Sequence, residues 1–198
     1  AIADTSAVSV ASGAEFNIGA NEVVGSIADA GNITLSTYTL TAGVNNSSTT
    51  FSGILSGTGG GLTKNGTGIL TLSGNNTYTG TTTINAGTLT VSGVGQLGAG
   101  NYSGSISNSG NFIYASTVNQ TLGGIISGIG SLTQNGSGTL VLSGANTYSG
   151  ATTINTGTLA LNQATAIGTG TLTIKGGALD NTSGSAKTIT NTNAQNWN

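Results

Sequence analysis

Five carboxylates are the only acidic side chains in this chain of 198 residues. They are Asp4, Glu15, Glu22, Asp29 and Asp180. Two carboxyl groups on either side of a glycosidic bond can cleave it, one as general acid and the other as nucleophile or base. The first four are close together in the sequence, so a fold that returns the chain to one place could pair two of them. We favour the alternative, in which they are solvated groups near the N-terminal end.

The chain lacks the side chains that most other catalytic sites and metal sites need. The chain has no His and no Cys, which excludes hydrolase triads and thiolate metal sites. From Asn65 to Ile174 no side chain carries a charge, whereas general acid–base catalysis needs a titratable group. The glycine-rich run Gly57–Gly61 lacks the GK[ST] string that completes a phosphate loop. We therefore expect no catalytic residue, no metal and no cofactor.

Two tyrosines are candidates for binding instead. Tyr78 and Tyr148 occupy the same position in two NTYxG strings. Aromatic rings with one exposed face can stack on a sugar, so both are candidate glycan contacts. The other interpretation, which we favour, is that each ring packs at a corner of the fold because the repeated string needs a large residue there.

Asparagine is abundant, and several copies stand in N-x-[ST] triplets, the acceptor pattern for N-glycosylation. They include Asn32, Asn65, Asn101, Asn119 and Asn135. In a chain this rich in Asn, Ser and Thr, composition alone would produce these triplets, and we favour that interpretation. Because many of these asparagines recur at turns, we expect them to stack as hydrogen-bonded ladders.

Charge and hydropathy limit the partners. Lys64, Lys175 and Lys187 are the only cations and the net charge is -2, so binding to nucleic-acid phosphates has no electrostatic basis. No apolar run reaches the roughly 20 residues of a membrane-spanning helix. The sequence therefore predicts neither nucleic-acid binding nor membrane insertion by this chain.

Internal repetition is the strongest signal in the sequence. The segment 62–89 returns as the segment 132–159, and the two are identical at 20 of 28 positions. We divide the chain, taken as one array over residues 1–198, into a first copy at 31–109 and a second at 110–176. Residues 177–198 are interpreted as the start of a truncated third copy.

A shorter period of about 20 residues lies inside each copy. Leu70 and Leu72 recur as Leu89 and Val91, and Leu62 recurs near Ile84. Each segment alternates apolar and polar residues, which is typical of a strand with one buried face. Such strands can bury that face only by stacking, so the sequence predicts an all-β solenoid with coils of about 20 residues.

The predicted core consists of the alternate apolar positions of the strands in both copies. They are Leu70, Leu72, Leu89, Val91, Leu140, Leu142, Leu159 and Leu161. Stacking of coils also leaves unpaired strand edges at the two ends. We therefore expect either continuation of the solenoid in a longer protein or self-association through its ends.

The strings GLTKNGTGILTLSGNNTYTGTTTINAGTLTV and SLTQNGSGTLVLSGANTYSGATTINTGTLAL resemble the autotransporter-associated β-strand repeat, also called the passenger-associated transport repeat. The shared core LSGxNTYxGxTTINxGTL is specific, and it occurs twice. The resemblance implies a right-handed parallel β-helix in the passenger region of a bacterial extracellular or outer-membrane protein. It also implies adhesion, aggregation or display, and it supplies no catalytic residues.

Three functions follow from these observations. The first is a structural or adhesive rod or fibre that displays or mediates contact at the cell surface, without enzymatic activity. The second is a glycan-binding module that uses Tyr78 and Tyr148. The third, remote because acids are so few, is a polysaccharide-cleaving β-helix. A cluster of acids in the folded chain would favour the third.

Overall fold

The computed structural model of the chain describes residues 2–186 and the backbone of residues 195–197. In the predicted third copy, Lys187, residues 188–194 and residue 198 lie outside the described residues. The described part contains no α-helix and has one 3-10 turn, Gly98–Gly100. Every strand pair is parallel, and the chain winds as a β-solenoid of about nine turns. The predicted fold class is confirmed.

The strands are short because glycine-containing turns interrupt the chain after every few residues. In chain order they are β1 (Ala7–Ser9), β2 (Glu15–Asn17), β3 (Glu22–Val24), β4 (Ser26–Ala28), β5 (Asn32–Thr34), β6 (Thr39–Ala42), β7 (Thr49–Phe51), β8 (Leu55–Ser56), β9 (Gly61–Lys64), β10 (Ile69–Leu72), β11 (Thr82–Ile84), β12 (Thr88–Gly93), β13 (Asn101–Tyr102), β14 (Ile106–Asn108), β15 (Asn111–Ser116), β16 (Gln120–Leu122), β17 (Ile126–Ser127), β18 (Ser131–Gln134), β19 (Thr139–Leu142), β20 (Thr152–Ile154), β21 (Thr158–Leu161), β22 (Leu172–Ile174), β23 (Ala178–Asp180) and β24 (Gln195–Trp197).

Each coil contributes a strand, or a strand-like segment, to each of three sides. An eight-stranded sheet runs β7, β10, β12, β15, β18, β20, β22 and β24. A six-stranded sheet runs β3, β6, β9, β11, β14 and β17. The third side consists of a three-stranded sheet (β2, β5, β8) and a five-stranded sheet (β13, β16, β19, β21, β23). The strands β1 and β4 form a separate pair.

The register between coils matches the predicted stacking. Leu70 lies opposite Leu89 and Leu72 opposite Val91 in the β10–β12 pair. All eight predicted core residues are buried: Leu70, Leu72, Leu89, Val91, Leu140, Leu142, Leu159 and Leu161. Full burial of one such side chain contributes about 1.5–3 kcal/mol. The core is therefore a continuous column of mainly apolar side chains along the solenoid axis, with aromatic residues such as Phe51 and Phe112 among the aliphatic ones.

One part of the predicted period is wrong. Leu62 pairs with Thr82, and Ile84 lies opposite Lys64 instead. Thr82 is fully buried in spite of its hydroxyl, because that hydroxyl is hydrogen-bonded to tyrosines inside the coil. An apolar pattern alone therefore misplaced this register by two positions.

The two repeat copies do not lie directly above one another. Strand β9 of the first copy is in the six-stranded sheet, whereas its equivalent β18 is in the eight-stranded sheet. From β9 to β18 the chain passes through nine strands and the segment 76–78, which continues the third side through a hydrogen bond to Leu55. Ten segments at three per coil make three and one-third turns. The second copy is therefore rotated by one side of the solenoid.

Glycines fill the corners because the carbonyl of one coil points at the Cα of the next. A Cβ on any member of one such column would lie 2.1–2.6 Å from the carbonyl oxygen of the glycine one coil before it. The column contains Gly66, Gly87, Gly110, Gly130, Gly150 and Gly170. The close stacking of coils therefore requires glycine here for space.

Two adjacent glycines give a matched test of this packing. A Cβ at Gly124 would lie 2.2 Å from the carbonyl oxygen of Gly104, whereas at Gly123 the nearest atom is 3.7 Å away. We expect Gly124→Ala to lower the free energy of unfolding by about 1–3 kcal/mol. Gly123→Ala should leave it unchanged or raise it by up to about 1 kcal/mol. Urea unfolding measures both, and equal losses would contradict the packing at this corner.

Candidate functional surface

The two candidate tyrosines lie inside the solenoid. Tyr78 and Tyr148 have no exposed surface. The Tyr78 hydroxyl is 2.8 Å from Thr82 Oγ1, and that of Tyr148 is 2.6 Å from Thr152 Oγ1. A sugar cannot stack on a ring that has no exposed face. This burial argues against the glycan-contact interpretation and favours packing inside a coil.

A third tyrosine extends this buried group in the first copy. The rings of Tyr78 and Tyr102 meet edge to face, with centroids 5.6 Å apart. Thr82 Oγ1 is 2.7 Å from the Tyr102 hydroxyl, which donates to the carbonyl of Gly80. Burial raises the pKa of Tyr102 to about 12, and it also raises the pKa values of Tyr78 and Tyr148. These tyrosine hydroxyls form hydrogen bonds inside the fold.

The raised tyrosine pKa values predict sensitivity to alkali. In the unfolded chain a tyrosine loses its proton near pH 10, whereas Tyr102 keeps it to about 12 in the folded chain. The folded state therefore binds more protons between these values, and stability present below pH 10 is lost as the pH rises. For Tyr102 alone the loss is about 2–3 kcal/mol. Urea unfolding at stepped pH, with tyrosinate absorbance as a second signal, measures it; constant stability to pH 12 would contradict it.

Three of the carboxylates, Glu15, Glu22 and Asp29, each have a separate hydrogen-bond partner on a neighbouring coil. Glu15 is in β2 and accepts a hydrogen bond from Thr34 Oγ1 at 2.6 Å. Glu22 is in β3, on another side, and accepts from the backbone of Ile2. Asp29 accepts from Ser9 at a corner. The described residues contain no group of three His, Cys, Asp or Glu side chains that could hold a metal ion. These acids tie neighbouring coils together.

One of the few cations is buried, which the sequence analysis did not predict. Lys64 is fully buried in β9, and its ammonium donates to the carbonyls of Asn65 at 2.6 Å and Gly66 at 2.8 Å. Burial lowers its pKa. The second copy has Gln134 at this position, and its amide donates to backbone carbonyls of the following turn. The alternation Leu62-Thr63-Lys64 was the available signal, since it places position 64 inward.

Buried asparagines bridge coils where a strand is missing. Asn76 Oδ1 accepts from the backbone N–H of Leu55 at 3.0 Å, and its Nδ2 donates to the carbonyl of Gln96 at 3.0 Å. Its side chain thereby joins the coil before to the coil after. Asn146 repeats this arrangement in the second copy. The repeated string NTYxG therefore contains a structural asparagine beside its tyrosine.

Asparagine ladders occur at the exposed turns, as predicted. Asn85 Nδ2 donates to Asn65 Oδ1 at 2.7 Å, and Asn155 Nδ2 donates to Asn135 Oδ1 at 3.1 Å. Each ladder joins two successive coils at equivalent corners of the two copies. These amides contribute to stacking along the axis.

Two sides of the outer surface carry rows of hydroxyl groups that run along the axis. On the eight-stranded sheet the central outward residues, which we call the threonine row, are Thr50, Thr71, Thr90, Ile113, Thr133, Thr153 and Thr173. On the six-stranded sheet the corresponding residues are Thr41, Thr63, Thr83, Ser107 and Ser127. Successive members are ~4.8 Å apart. The surface therefore presents uncharged donors and acceptors at a regular spacing.

Parallel coils, a mainly apolar column inside and hydroxyl rows outside define a β-solenoid repeat protein. Residues 62–91 and 132–161 both match the passenger-associated-transport-repeat family. These are the two segments whose strings carried the resemblance. The chain thus contains two copies of this repeat, and the resemblance is confirmed.

The chain is also similar in sequence to a curated protein. The chain is 42% identical over 142 residues to a protein of Brucella suis biovar 1 (strain 1330) named adhesin BmaC autotransporter. The match covers 56% of this chain and only 4% of the relative's length. No solved structure matches the chain. No helix in the described part is both long and apolar enough to cross a membrane.

Proposed function

We propose that this chain is a rigid segment of an extracellular bacterial surface protein, where it acts as a rod or fibre that mediates adhesive contact. The observation that carries the proposal is the uninterrupted stack of parallel coils with uncharged hydroxyl rows on its outside. A continuous hydrogen-bonded stack resists bending and fixes the distance between its ends. The name of the relative, an autotransporter adhesin, supports placement at the cell surface.

The chemistry of the surface suits many weak contacts. The segment from Asn65 to Ile174 contains no charged side chain, so contacts there depend on hydrogen bonds and on a few exposed aliphatic residues such as Ile125 and Ile129. Each hydrogen bond contributes only about 0.5–1.5 kcal/mol. Adhesion through such a surface needs repetition, which a solenoid supplies.

Display of the chain on inert beads tests the proposal. Beads coated with the wild-type chain should adhere to bacterial or host cells more than uncoated beads, and this adhesion should persist at high salt because it involves few charges. Beads coated with a coil-disrupting variant, Leu140→Asp, provide the control. Equal adhesion by wild-type and disrupted chains would overturn the proposal.

We propose no enzymatic role. A polysaccharide-cleaving site needs two carboxyl groups across one bond, and Glu15, Glu22 and Asp29 instead have separate hydrogen-bond partners on different parts of the first coils. Turnover that is lost on mutating a named acid would contradict this.

We also propose that an end of the solenoid pairs with a further coil, either of a longer protein or of a second copy of the chain. In the described residues β1, β2 and β3 each pair with only one neighbouring strand, β4, β5 and β6. Their outer edges offer free N–H and C=O groups to a further coil. Sedimentation analysis over a wide concentration range should detect assembly that increases with concentration. A monomer at every concentration would contradict it.

A further inference from the structure

A shallow groove lies on the outer face of the eight-stranded sheet near the start of the threonine row. It is lined by Ser48, Thr49, Thr50, Ile69 and Thr71. Ile69 is 44% exposed, and it is an aliphatic side chain among four hydroxyl-bearing residues. The groove therefore combines one apolar contact with the outward hydroxyls of Thr50 and Thr71, and small-molecule sites combine such groups.

The hydroxyls of Thr50, Thr71 and Thr90 in the threonine row are free, whereas several side chains in the adjacent row through Ile69 and Asn111 are hydrogen-bonded. Thr50, Thr71 and Thr90 make no side-chain hydrogen bond within the described part of the protein. The neighbouring outward row is bonded to itself: Ser131 Oγ donates to Asn111 Oδ1 at 2.7 Å, and Ser48 Oγ accepts from the backbone of Ile69 at 3.0 Å. The threonine row therefore offers free donors and acceptors in a line along the axis.

Charge restricts what can lie along that line. The strands β7, β10, β12, β15, β18, β20 and β22 contain no charged residue. An anionic ligand would find no cation on them, and a cationic ligand no carboxylate. A neutral ligand rich in hydroxyl groups matches the sheet, because it loses no ionic hydration on binding.

The shape of the surface also favours a linear ligand. The row repeats every ~4.8 Å along the axis, so a polymer with a short repeat can contact successive threonines with successive units. All backbone groups in the interior of this sheet are already paired between coils, so the face cannot accept an added protein strand.

We propose that the eight-stranded sheet binds a linear neutral polysaccharide along the solenoid axis, seated in the groove beside Ile69 and Thr71. This rests on the proposed adhesive function and names the class of surface molecule contacted. Sugar C–H groups pack on Ile69, and sugar hydroxyls exchange hydrogen bonds with Thr50 and Thr71. The tyrosines take no part.

Titration calorimetry with four hexasaccharides tests the proposal. The probes are the neutral hexaoses of β-1,4-glucose, α-1,4-glucose and β-1,4-N-acetylglucosamine, and the anionic hexamer of galacturonic acid. At least one neutral hexaose should bind saturably and the anionic one should not. The double variant Thr50→Val/Thr71→Val keeps the side-chain shape and should weaken binding about tenfold, the effect of losing one or two hydrogen bonds.

The matched control is Thr63→Val/Thr83→Val, which removes two hydroxyls from the six-stranded sheet. It should bind like the wild type. Binding of none of the neutral probes, preference for the anionic one, or equal loss in both double variants would overturn the proposal. Bead adhesion that persists without oligosaccharide binding would overturn this inference alone and leave the adhesive function standing.

Discussion

Leu140→Asp is expected to unfold the coils around β19. Leu140 is fully buried, between Gln120 and Leu159 on the neighbouring strands. Removing a buried leucine costs about 2–5 kcal/mol, and an unpaired buried carboxylate adds several more. Because domains are stable by only about 5–15 kcal/mol, the variant should lose its cooperative unfolding transition. Circular dichroism during urea titration measures this.

The adjacent position supplies the control. Val141 is on the same strand and points outward, between Thr121 and Ala160. Val141→Asp introduces the same carboxylate at a partly exposed position, and it should change the free energy of unfolding by less than about 1 kcal/mol. If the two aspartates were equally tolerated, the inward and outward positions of this strand would be wrongly placed.

Asn146→Leu is expected to have the second largest effect. Asn146 Oδ1 accepts from the backbone N–H of Ile126 at 2.7 Å, and its Nδ2 donates to the carbonyl of Ala166. Leucine would bury both backbone groups without a partner, at about 1–3 kcal/mol each. The free energy of unfolding should fall by about 2–6 kcal/mol. Hydrogen exchange should be faster at Ile126 than in the wild type.

Its control exploits a natural difference between the copies. Ala145 is exposed, and the first copy has Asn75 at this position. Ala145→Asn should therefore be neutral within about 0.5 kcal/mol. If Asn146→Leu were also neutral, the asparagine would not be the bridge between these coils.

The strands and the core could be predicted from the sequence because alternation records burial directly. Leu70-Thr71-Leu72 reads as inward, outward, inward, and the structure agrees. The family strings then identified the repeat. Ladders such as Asn65–Asn85 followed from the recurrence of asparagine at turns.

Buried polar side chains and the hydrogen bonds between coils were not predicted from the sequence. Thr82 and Lys64 are polar, so an apolar pattern could not place them in the core, although alternation with Leu62 was a sign for Lys64. Packing of the Tyr78 ring was the favoured interpretation, but its buried hydrogen bond to Thr82 was not predicted. The sequence could not show which threonine hydroxyls are free, because that depends on the hydrogen bonds of the folded chain.

The one-third turn between the copies determines how an array of this repeat meets its surroundings. Three successive steps from one copy to the next make ten full turns, after which a motif position faces its original direction. In an array with this spacing, a given motif side chain therefore lies on each of the three sides of the solenoid in turn, one side per copy. The three sides of such a rod are equivalent, because each side presents the same motif position once in every three copies.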